Sequence, residues 1–437
     1  MDGYIKGSKL TGCLSLFRVR LSGRVGDKRT QFDFSVVVLR ELVALLVAFC
    51  ACAPTFGEDW PCWRGPERNG ISREDNWNDS WSDSGPVRLW KADVGIGFSS
   101  MTIANGRVYT IGNTEDVDSV VCLDTLSGKV LWKHSYACPL DDKFFEGGPT
   151  STPTIDGDTV FVLSRTGEIK SLKASSGEVQ WSKNLPSELG VDVPGWGFAG
   201  SALVLGDQLI LSVGQSGTAL HKSTGDVVWQ SEGEAGYMTP FPIQTSATSS
   251  VIIASGKFYH AVDPVTGSVQ WRQRWLTTFG CNAADPIAQD GRLFISSGYN
   301  RGSALLELNG DAPRFVWETK DFQNQWSSSI LVDGFLYGVD GNETGDRSLK
   351  CVELKSGEIR WSVEGFGSAS LFAAGKNLVL LTDQGELVVA PASPEAFRSK
   401  SRAQVLAGKC WTVPVLANGL IYCRNAAGEL VCLDVRK

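Results

Sequence analysis

The sequence is poor in the residues on which many catalytic and nucleic-acid-binding sites depend. Its 437 residues include only three histidines, and only 20% of them are charged. His134, His221 and His260 fall in or beside strand-like segments at unrelated positions, which argues against a zinc cluster or a Ser-His-Asp triad. The chain has no long basic block and no phosphate-binding glycine loop before a helix. Nucleic-acid binding through phosphates and nucleotide-loop chemistry are therefore excluded.

A long hydrophobic run is also missing. The most apolar segment, Leu42 to Ala53, is shorter than the roughly 20 residues that a transmembrane helix needs. Its length fits the apolar core of a secretory signal peptide, which commonly has about 7 to 15 residues. Cleavage after Gly57 would leave Glu58 as the first mature residue. We therefore predict an exported protein, in the periplasm or at the cell surface, with no transmembrane span after cleavage.

The residues before this signal are unusually many. No methionine lies between Met1 and Met101, so translation from Val37, Val38 or Leu39 would give a signal of ordinary length. We interpret residues 1–57 as a gene-model extension plus a signal peptide, with a long amino-terminal region of the signal as the alternative. Removing their eight basic and four acidic residues would change the net charge from -7 to -11. An acidic protein of this kind is unsuited to anionic nucleic acids or lipid surfaces.

Cysteine motifs are absent as well. Eight cysteines follow residue 57, without a CxxC pair, an adjacent pair or a CxxCH haem-attachment motif. Cys122, Cys351 and Cys432 occupy the same position of an internal repeat, which predicts buried free thiols. Cys423 and Cys432 flank a predicted hairpin turn, and a disulfide between them is an alternative that the sequence leaves open.

What the sequence does contain is a repeated phrase in which a turn glycine is followed four residues later by tryptophan. The five copies are Gly128 with Trp132, Gly177 with Trp181, Gly225 with Trp229, Gly267 with Trp271, and Gly357 with Trp361. Trp317 belongs to a drifted sixth copy. Successive tryptophans are 42 to 49 residues apart. This period is typical of the four-stranded blades of a β-propeller.

Each repeat has two hairpins and therefore four antiparallel strands. Eight inner strands are predicted to start near Ser99, Ser151, Ser201, Thr245, Ala284, Ser328, Ser368 and Thr412. The seventh repeat has Pro391 to Ala403 in place of the glycine-tryptophan phrase, and the eighth lacks its last strand. The segment Pro86 to Gly95, which contains Trp90, can supply that strand and close the ring. Residues 86–437 are thus predicted to form an all-β, eight-bladed propeller.

Two structural roles follow from this prediction. The repeat tryptophans, with Trp90, are expected to dock on the glycine turns of neighbouring blades. Residues 58–85, with tryptophans at positions 60, 63, 77 and 81, are too polar to fold alone. This segment is expected to pack across the ring, either as a cover over the channel or as a functional tether or lid.

The glycine-tryptophan phrase resembles the tryptophan-docking repeat of pyrroloquinoline-quinone (PQQ) dehydrogenases and of the outer-membrane β-barrel assembly lipoprotein. More closely, the chain is similar to secreted bacterial PQQ-like propeller proteins that open with Trp-Pro-x-Trp-Arg-Gly-Pro, here Trp60 to Pro66. The stretches Asn282 to Pro286, Gly298 to Leu306 and Gly408 to Trp411 also look typical of that group. The resemblance extends from Trp60 to the carboxyl terminus and implies the propeller fold.

Candidate binding residues lie in the loops that join an outer strand to the next inner strand. They are Glu146, Trp196, Gln244 with Tyr237 nearby, Asn282, Asn324, Trp326, Lys409 and Trp411. Aromatic and amide side chains of this kind suit a planar polar ligand, although they also fit a channel that is merely plugged. If the chain were a quinoprotein, the resemblance implies PQQ above a tryptophan, Ca²⁺ held by Glu146 and Asn282, and Asp285 as the base. The adjacent-cysteine disulfide of that enzyme family is missing.

Three functions remain as hypotheses. The first is an exported, non-catalytic, monomeric propeller that binds a protein or a small polar ligand on its axis as an envelope scaffold. The second is a PQQ- and Ca²⁺-dependent alcohol or sugar dehydrogenase. The third is a polysaccharide-binding accessory module.

His221 and His260 lie near the turn of the repeat, and both are predicted to be exposed to solvent there.

Overall fold

The computed structural model describes residues 57–82, 84–245, 248–310 and 312–437. They form the predicted all-β propeller, with eight blades that each contain four antiparallel strands. The hypotheses on the start codon and the signal peptide concern residues 1–57, of which all but Gly57 lie outside the described part. Among the described residues, no helix has the length and apolar character needed to cross a bilayer.

Two strands precede the first blade and belong to later ones: β1 (Ile71–Ser72) and β2 (Val87–Asp93). Blade 1 contains β3 (Thr102–Ala104), β4 (Arg107–Thr114), β5 (Val117–Asp124) and β6 (Val130–Ala137). Blade 2 contains β7 (Thr154–Asp156), β8 (Thr159–Leu163), β9 (Glu168–Lys173) and β10 (Val179–Asn184), followed by helix α1 (Leu185–Leu189). Blade 3 contains β11 (Leu203–Leu205), β12 (Gln208–Leu211), β13 (Thr218–His221) and β14 (Val227–Gln230). Blade 4 contains β15 (Phe241–Gln244), β16 (Ser249–Ala254), β17 (Phe258–Val262) and β18 (Val269–Arg274).

The second half repeats this order. Blade 5 contains β19 (Ile287–Gln289), β20 (Arg292–Ser297), β21 (Gly302–Glu307) and β22 (Arg314–Thr319). Blade 6 contains β23 (Ile330–Val332), β24 (Phe335–Asp340), β25 (Ser348–Glu353) and β26 (Ile359–Glu364). Blade 7 contains β27 (Ser370–Ala374), β28 (Asn377–Leu381), β29 (Glu386–Pro391) and β30 (Ser401–Gln404). Blade 8 contains β31 (Val415–Ala417), β32 (Leu420–Arg424) and β33 (Glu429–Asp434).

The ring closes through the amino-terminal strand, as the sequence predicts. β2 pairs antiparallel with β33, from Val87 opposite Asp434 to Asp93 opposite Glu429. It thereby becomes the outer strand of blade 8. Arg424 reinforces this junction from a fully buried position, where it donates hydrogen bonds to the carbonyls of Gly95, Ser99 and Ile111. Blade 8 is therefore fixed to blade 1 by a strand pair and by a buried guanidinium.

Tryptophans of the outer strands pack between neighbouring blades. The Trp229 ring lies on Gly267 of the next blade, and its Nε1 donates to the carbonyl of Pro264 at 2.9 Å. A Cβ on Gly267 would lie 2.6 Å from this ring, and the glycine has a positive φ of 73°. Both conditions favour glycine. The other contacts of this kind are Trp90 on Gly128, Trp132 on Gly177, Trp181 on Gly225 and Trp317 on Gly357.

Three interfaces depart from this pattern, and in the one between blades 7 and 8 the outer strand β30 carries no tryptophan. Trp361 donates to the carbonyl of Ser393 at 2.8 Å, in the segment that replaces the phrase in blade 7. Phe397 of that segment packs edge-on against the Trp361 ring, at 5.8 Å between centroids. Trp271 packs with Leu308 on the core between blades 4 and 5. Blade 7 therefore uses an aromatic contact in place of the glycine turn.

Residues 57–82 cross the ring on the side of the inner-strand turns. Trp60 pairs with Ile103 of blade 1, and β1 pairs in parallel with β27 of blade 7. Trp77 is buried in the core between blades 7 and 8. Asp59 and Glu74 accept hydrogen bonds from the inner-strand turns of blades 1 and 8. The segment thus buries tryptophans by joining blades that are distant in sequence.

The pleat of blade 8 excludes the disulfide considered above. Cys423 lies opposite Val431 and Cys432 lies opposite Tyr422, so the two cysteines are on different faces of the sheet. Cys423 packs toward blade 7, whereas Cys432 packs toward blade 1. Cysteines that point to opposite faces cannot be bridged without moving the backbone. All eight described cysteines are free thiols.

The prediction of a solvated position is wrong for His260. His221 is exposed at the end of β13, but His260 is 1% exposed in the middle of β17. The strand registers explain the difference. Ala219 pairs with Trp229, and His221 lies two residues after Ala219, at the end of its strand. Ala261 pairs with Trp271, and His260 lies one residue before Ala261, inside its strand. Burial, together with the nearby charge of Arg272, lowers the pKa of His260 to about 4.

This burial makes stability depend on pH. The folded-state pKa of His260 is below the unfolded value of about 6.5, so protons bind the unfolded chain more readily. The contribution of the neutral ring is complete above pH 6.5 and falls as the pH drops toward 4. Between pH 7 and pH 5, the free energy of unfolding of the unaltered protein should fall by about 2 kcal/mol more than that of His260→Gln. Urea denaturation at both pH values measures this, and identical losses in the two proteins would contradict the assignment.

Candidate functional site

Two faces of the ring differ in what they carry. The loops that join each outer strand to the next inner strand open on one face, which we call the mouth face. The tight inner-strand turns and the glycine turns lie on the opposite face, which we call the turn face. Most of the sequence-predicted site residues lie in mouth-face loops, where they form two aromatic clusters.

The first cluster joins four mouth-face loops. Lys409 pairs with Glu146, at 2.6 Å between Nζ and Oε1, and its ammonium group lies 4.2 Å from the centroid of the Trp411 ring. Trp411 contacts Trp326 with 5.2 Å between centroids, and it also contacts Phe98 at 5.8 Å. Glu146 and Lys409 therefore neutralise each other across the mouth.

The second cluster centres on Trp196. Phe144 and Tyr237 lie 5.8 Å and 5.5 Å from its ring, and Phe279 lies 6.2 Å away. Phe279 also contacts Tyr299 edge-on, at 5.0 Å. Burial raises the pKa of Tyr237, so this phenol stays neutral and serves as packing surface.

One loop contributes to both clusters. Residues 138–149 carry Phe144 to the second cluster and Glu146 to the first. Arg165 holds this loop from below, donating to the carbonyl of Leu140 at 2.6 Å and to the carboxylate of Asp141 at 2.8 Å. Because the Arg165 side chain is almost fully buried, the loop has a rigid base.

The predicted amide ligands are engaged inside the protein. Asn282 is fully buried, donates to the carbonyls of Ser255 and Trp275, and accepts a hydrogen bond from Ser297. Asn324 likewise donates to the carbonyl of Val339 and accepts from Ser329. Both amides connect loops to strands and are buried away from solvent.

Gln244 is on the other face. The sequence predicted an inner strand beginning near Thr245, but the inner strand of blade 4 is β15, which ends at Gln244. Gln244 is exposed there and donates to the carbonyls of Thr245 and Thr248. The turn after β15 lacks the glycine that marks the equivalent turn in other blades, and this displaced the predicted strand by several residues.

The residues present do not fit PQQ with Ca²⁺. Asn282 is fully buried with its oxygen bonded to Ser297, and Glu146 is paired with Lys409. Asp285 is buried and accepts a hydrogen bond from the Trp63 indole at 2.5 Å, so it faces the chain's own amino-terminal segment. In the described parts of the chain, no group of three or more histidine, cysteine, aspartate or glutamate side chains is placed to hold a metal ion.

Sequence reasoning missed the most exposed members of the second cluster. Phe144 is 70% exposed and Phe279 is 58% exposed, although both contact Trp196. The available signal was the Phe144-Phe145 pair in a loop whose neighbouring residues are charged, namely Asp141, Asp142, Lys143 and Glu146. It also missed Trp63 as a partner of Asp285, because 222 residues separate them.

Comparison with known proteins places the chain in a family. The PQQ_2 family, described as outer membrane protein assembly factor BamB, matches residues 116–363. Outer membrane protein assembly factor BamB of Escherichia coli strain K12 is 23% identical over 359 residues, covering 78% of this chain and 87% of the relative. The corresponding protein of Yersinia pestis is 24% identical over 301 residues, covering 64% of this chain and 72% of the relative.

Solved structures share the fold. BamB from Moraxella catarrhalis superposes with a TM-score of 0.59 and 16% identity, covering 81% of this chain and 98% of that one. Quinohemoprotein alcohol dehydrogenase from Comamonas testosteroni gives a TM-score of 0.62 and 14% identity, covering 88% and 82%. Since assembly factors and dehydrogenases are both similar in fold, the fold alone does not separate the two activities. The family match is the more specific finding: the chain belongs to the PQQ_2 family of PQQ-like β-propellers, described as outer membrane protein assembly factor BamB.

Proposed function

We propose that this chain is an exported, non-catalytic scaffold that binds a protein partner during assembly at the outer membrane. Membership of a family described as an outer membrane protein assembly factor supports this role. The mouth face supports it independently, because its charged pair is neutralised internally and its amides are engaged in the fold. The aromatic surface around Trp196 remains available for contact.

That surface is the observation that carries the proposal. Phe144 and Phe279 are more than half exposed, and both contact the half-buried Trp196. Val193 and Leu276, in the same mouth-face loops, are 45% and 40% exposed. A contiguous apolar patch on a soluble protein commonly marks an interaction site, and aromatic residues are enriched in the cores of protein interfaces.

The charges of these loops indicate the kind of partner. Asp142, Asp192, Glu232 and Glu234 are exposed in the loops that carry Phe144, Trp196 and Tyr237. Lys143 is a single exposed basic side chain among them. Electrostatic complementarity steers association, so a partner segment that combines basic and apolar residues suits this surface.

Site-specific crosslinking tests the proposal. A photoreactive residue at position 144 or 279 should crosslink in cells to a component of the outer-membrane protein assembly machinery. The photoreactive residue at position 265 is the matched control, because Val265 is 69% exposed on the turn face. It should give no crosslink to that component. The double variant Phe144→Ser and Phe279→Ser should weaken the isolated interaction at least about tenfold, the effect of losing a modest interface hot spot.

Two results would contradict this function. If position 265 crosslinks as strongly as positions 144 and 279, the mouth face is not the specific binding surface. Calcium-dependent binding of PQQ in a calorimetric titration, lost in Trp196→Ala, would instead support a quinoprotein. Because Trp196 belongs to both hypotheses, the Phe144→Ser and Phe279→Ser variant is the discriminating one.

A further inference from the structure

Side-chain oxygens of six of the eight blades form an arc around the axis of the propeller. Blades 1 to 6 each contribute one residue from just before the inner strand. In blades 1 to 5, the backbone N–H of this residue donates to the side-chain oxygen of the equivalent residue in the next blade. The donor–acceptor distances lie between 2.8 and 3.2 Å. The members are Ser100, Thr152, Ser201, Thr239, Asp285 and Ser328. Five of them are hydroxyl residues, and Asp285 alone brings a carboxylate.

The amino-terminal segment fills the space beside this carboxylate. Oδ1 of Asp285 accepts the Thr239 backbone N–H, which leaves Oδ2 directed at the segment. Trp63 donates its indole N–H to Oδ2 at 2.5 Å, and Nε of Arg64 lies 4.0 Å from the same oxygen. Both charged side chains are at most 5% exposed.

The Arg64 guanidinium is fixed on its other side by backbone oxygens. One terminal nitrogen donates to the carbonyl of Ser329 at 2.8 Å and to that of Asn69 at 2.9 Å. The backbone around it is unusual, since Arg64 itself has a positive φ of 63°. At Gly70, a Cβ would lie 2.5 Å from Ile330 and 3.3 Å from the guanidinium. The segment is therefore shaped to deliver one guanidinium to the axis.

Electrostatics explains why a cation belongs there. Burial raises the pKa of Asp285, and the charge of Arg64 opposes that effect. Burial also lowers the pKa of Arg64, and Asp285 counteracts it. A buried carboxylate without a partner is costly, so each charge offsets the desolvation of the other.

We propose that the propeller axis is a guanidinium-binding site, formed by Asp285 and the Ser329 carbonyl, whose ligand in this chain is its own Arg64. Trp63 and Arg64 act together as an internal ligand that occupies the axis and ties the amino-terminal segment to blades 5 and 6. The site selects an extended planar cation over a compact ammonium, because the Ser329 carbonyl accepts from a terminal nitrogen while the Asp285 carboxylate lies 4.0 Å from Nε of the same group.

Chemical rescue of the full chain tests this site. Arg64→Ala should lower the melting temperature. Methylguanidinium at about 10 mM should raise the melting temperature of this variant by about 2 °C, because it binds the folded state. Calorimetry should detect millimolar binding of methylguanidinium to Arg64→Ala, and none to the unaltered protein, whose site is filled. Methylammonium, with the same charge but no planar fork, should have no effect on either protein.

Matched variants decide between this site and a general ionic effect. Arg73→Ala removes an arginine of the same segment that is 67% exposed, and it should show neither a loss in melting temperature nor a response to methylguanidinium. Adding Asp285→Asn to Arg64→Ala should abolish the binding. If Arg64→Ala does not fold, Arg64→Lys should fold with a lower melting temperature than the unaltered protein. Equal melting temperatures for Arg64→Lys and the unaltered protein, or a response of Arg73→Ala to methylguanidinium, would overturn the proposal.

Discussion

Replacing Trp229 by alanine should lower the free energy of unfolding by about 3–5 kcal/mol, the range for loss of a large buried aromatic side chain. Trp229 is only 8% exposed and packs with residues of blades 3 and 4. Its removal leaves a cavity on Gly267, whose missing Cβ is what admits the ring. It also leaves the carbonyl of Pro264 without its indole donor. Cavity formation and a lost hydrogen bond act in the same direction.

Equilibrium denaturation in urea measures this effect. Val228→Ala provides the control, because Val228 is the neighbour of Trp229 in the same strand and is 45% exposed. The control should change stability by less than about 0.5 kcal/mol, as exposed substitutions usually do. A loss of under about 1 kcal/mol for Trp229→Ala would show that the ring does not hold the two blades together.

Replacing the closing strand should have the second large effect. Exchanging Val87–Asp93 for seven glycine and serine residues keeps the chain connected but removes β2. Blade 8 then loses its outer strand and the docking of Trp90 on Gly128. We expect the melting temperature to fall by about 10 °C, the equivalent of several kcal/mol, and the exposed edge of β33 to cause association.

Calorimetry and light scattering after size-exclusion chromatography measure both outcomes. Val87→Ser is the control, because Val87 belongs to the same strand and is 69% exposed. It should remain a monomer with an unchanged melting temperature. A strand-replaced protein that is equally stable and monomeric would mean that β2 is dispensable and that Arg424 closes the ring alone.

Much of the fold could be predicted from short-range patterns. The spacing of glycine and tryptophan gives the blade length, and the unpaired strand around Trp90 predicts how the ring closes. These features depend on local turn conformation and on strand alternation, which nearby residues determine. Where a local signal was missing, as in the turn after Gln244, the prediction placed the strand wrongly.

The candidate site was predictable only in part. Trp196, Trp326 and Trp411 were recognised because their loops have a fixed place in the repeat. Asn282 has the same sequence context, but the structure directs it inward to bind Ser255 and Trp275. Sequence position identifies the loop in which a residue lies, whereas the packing of adjacent blades decides whether its side chain faces solvent.

The sequence by itself determined the number of blades, their strand order and the strand that closes them, because each of these follows from a repeated local pattern. Only the tertiary structure decided which side chains meet across the ring. Trp63 reaches Asp285 over 222 residues, and Lys409 reaches Glu146 over 263. Such contacts depend on the curvature and closure of the whole ring, and no local pattern in the chain encodes them.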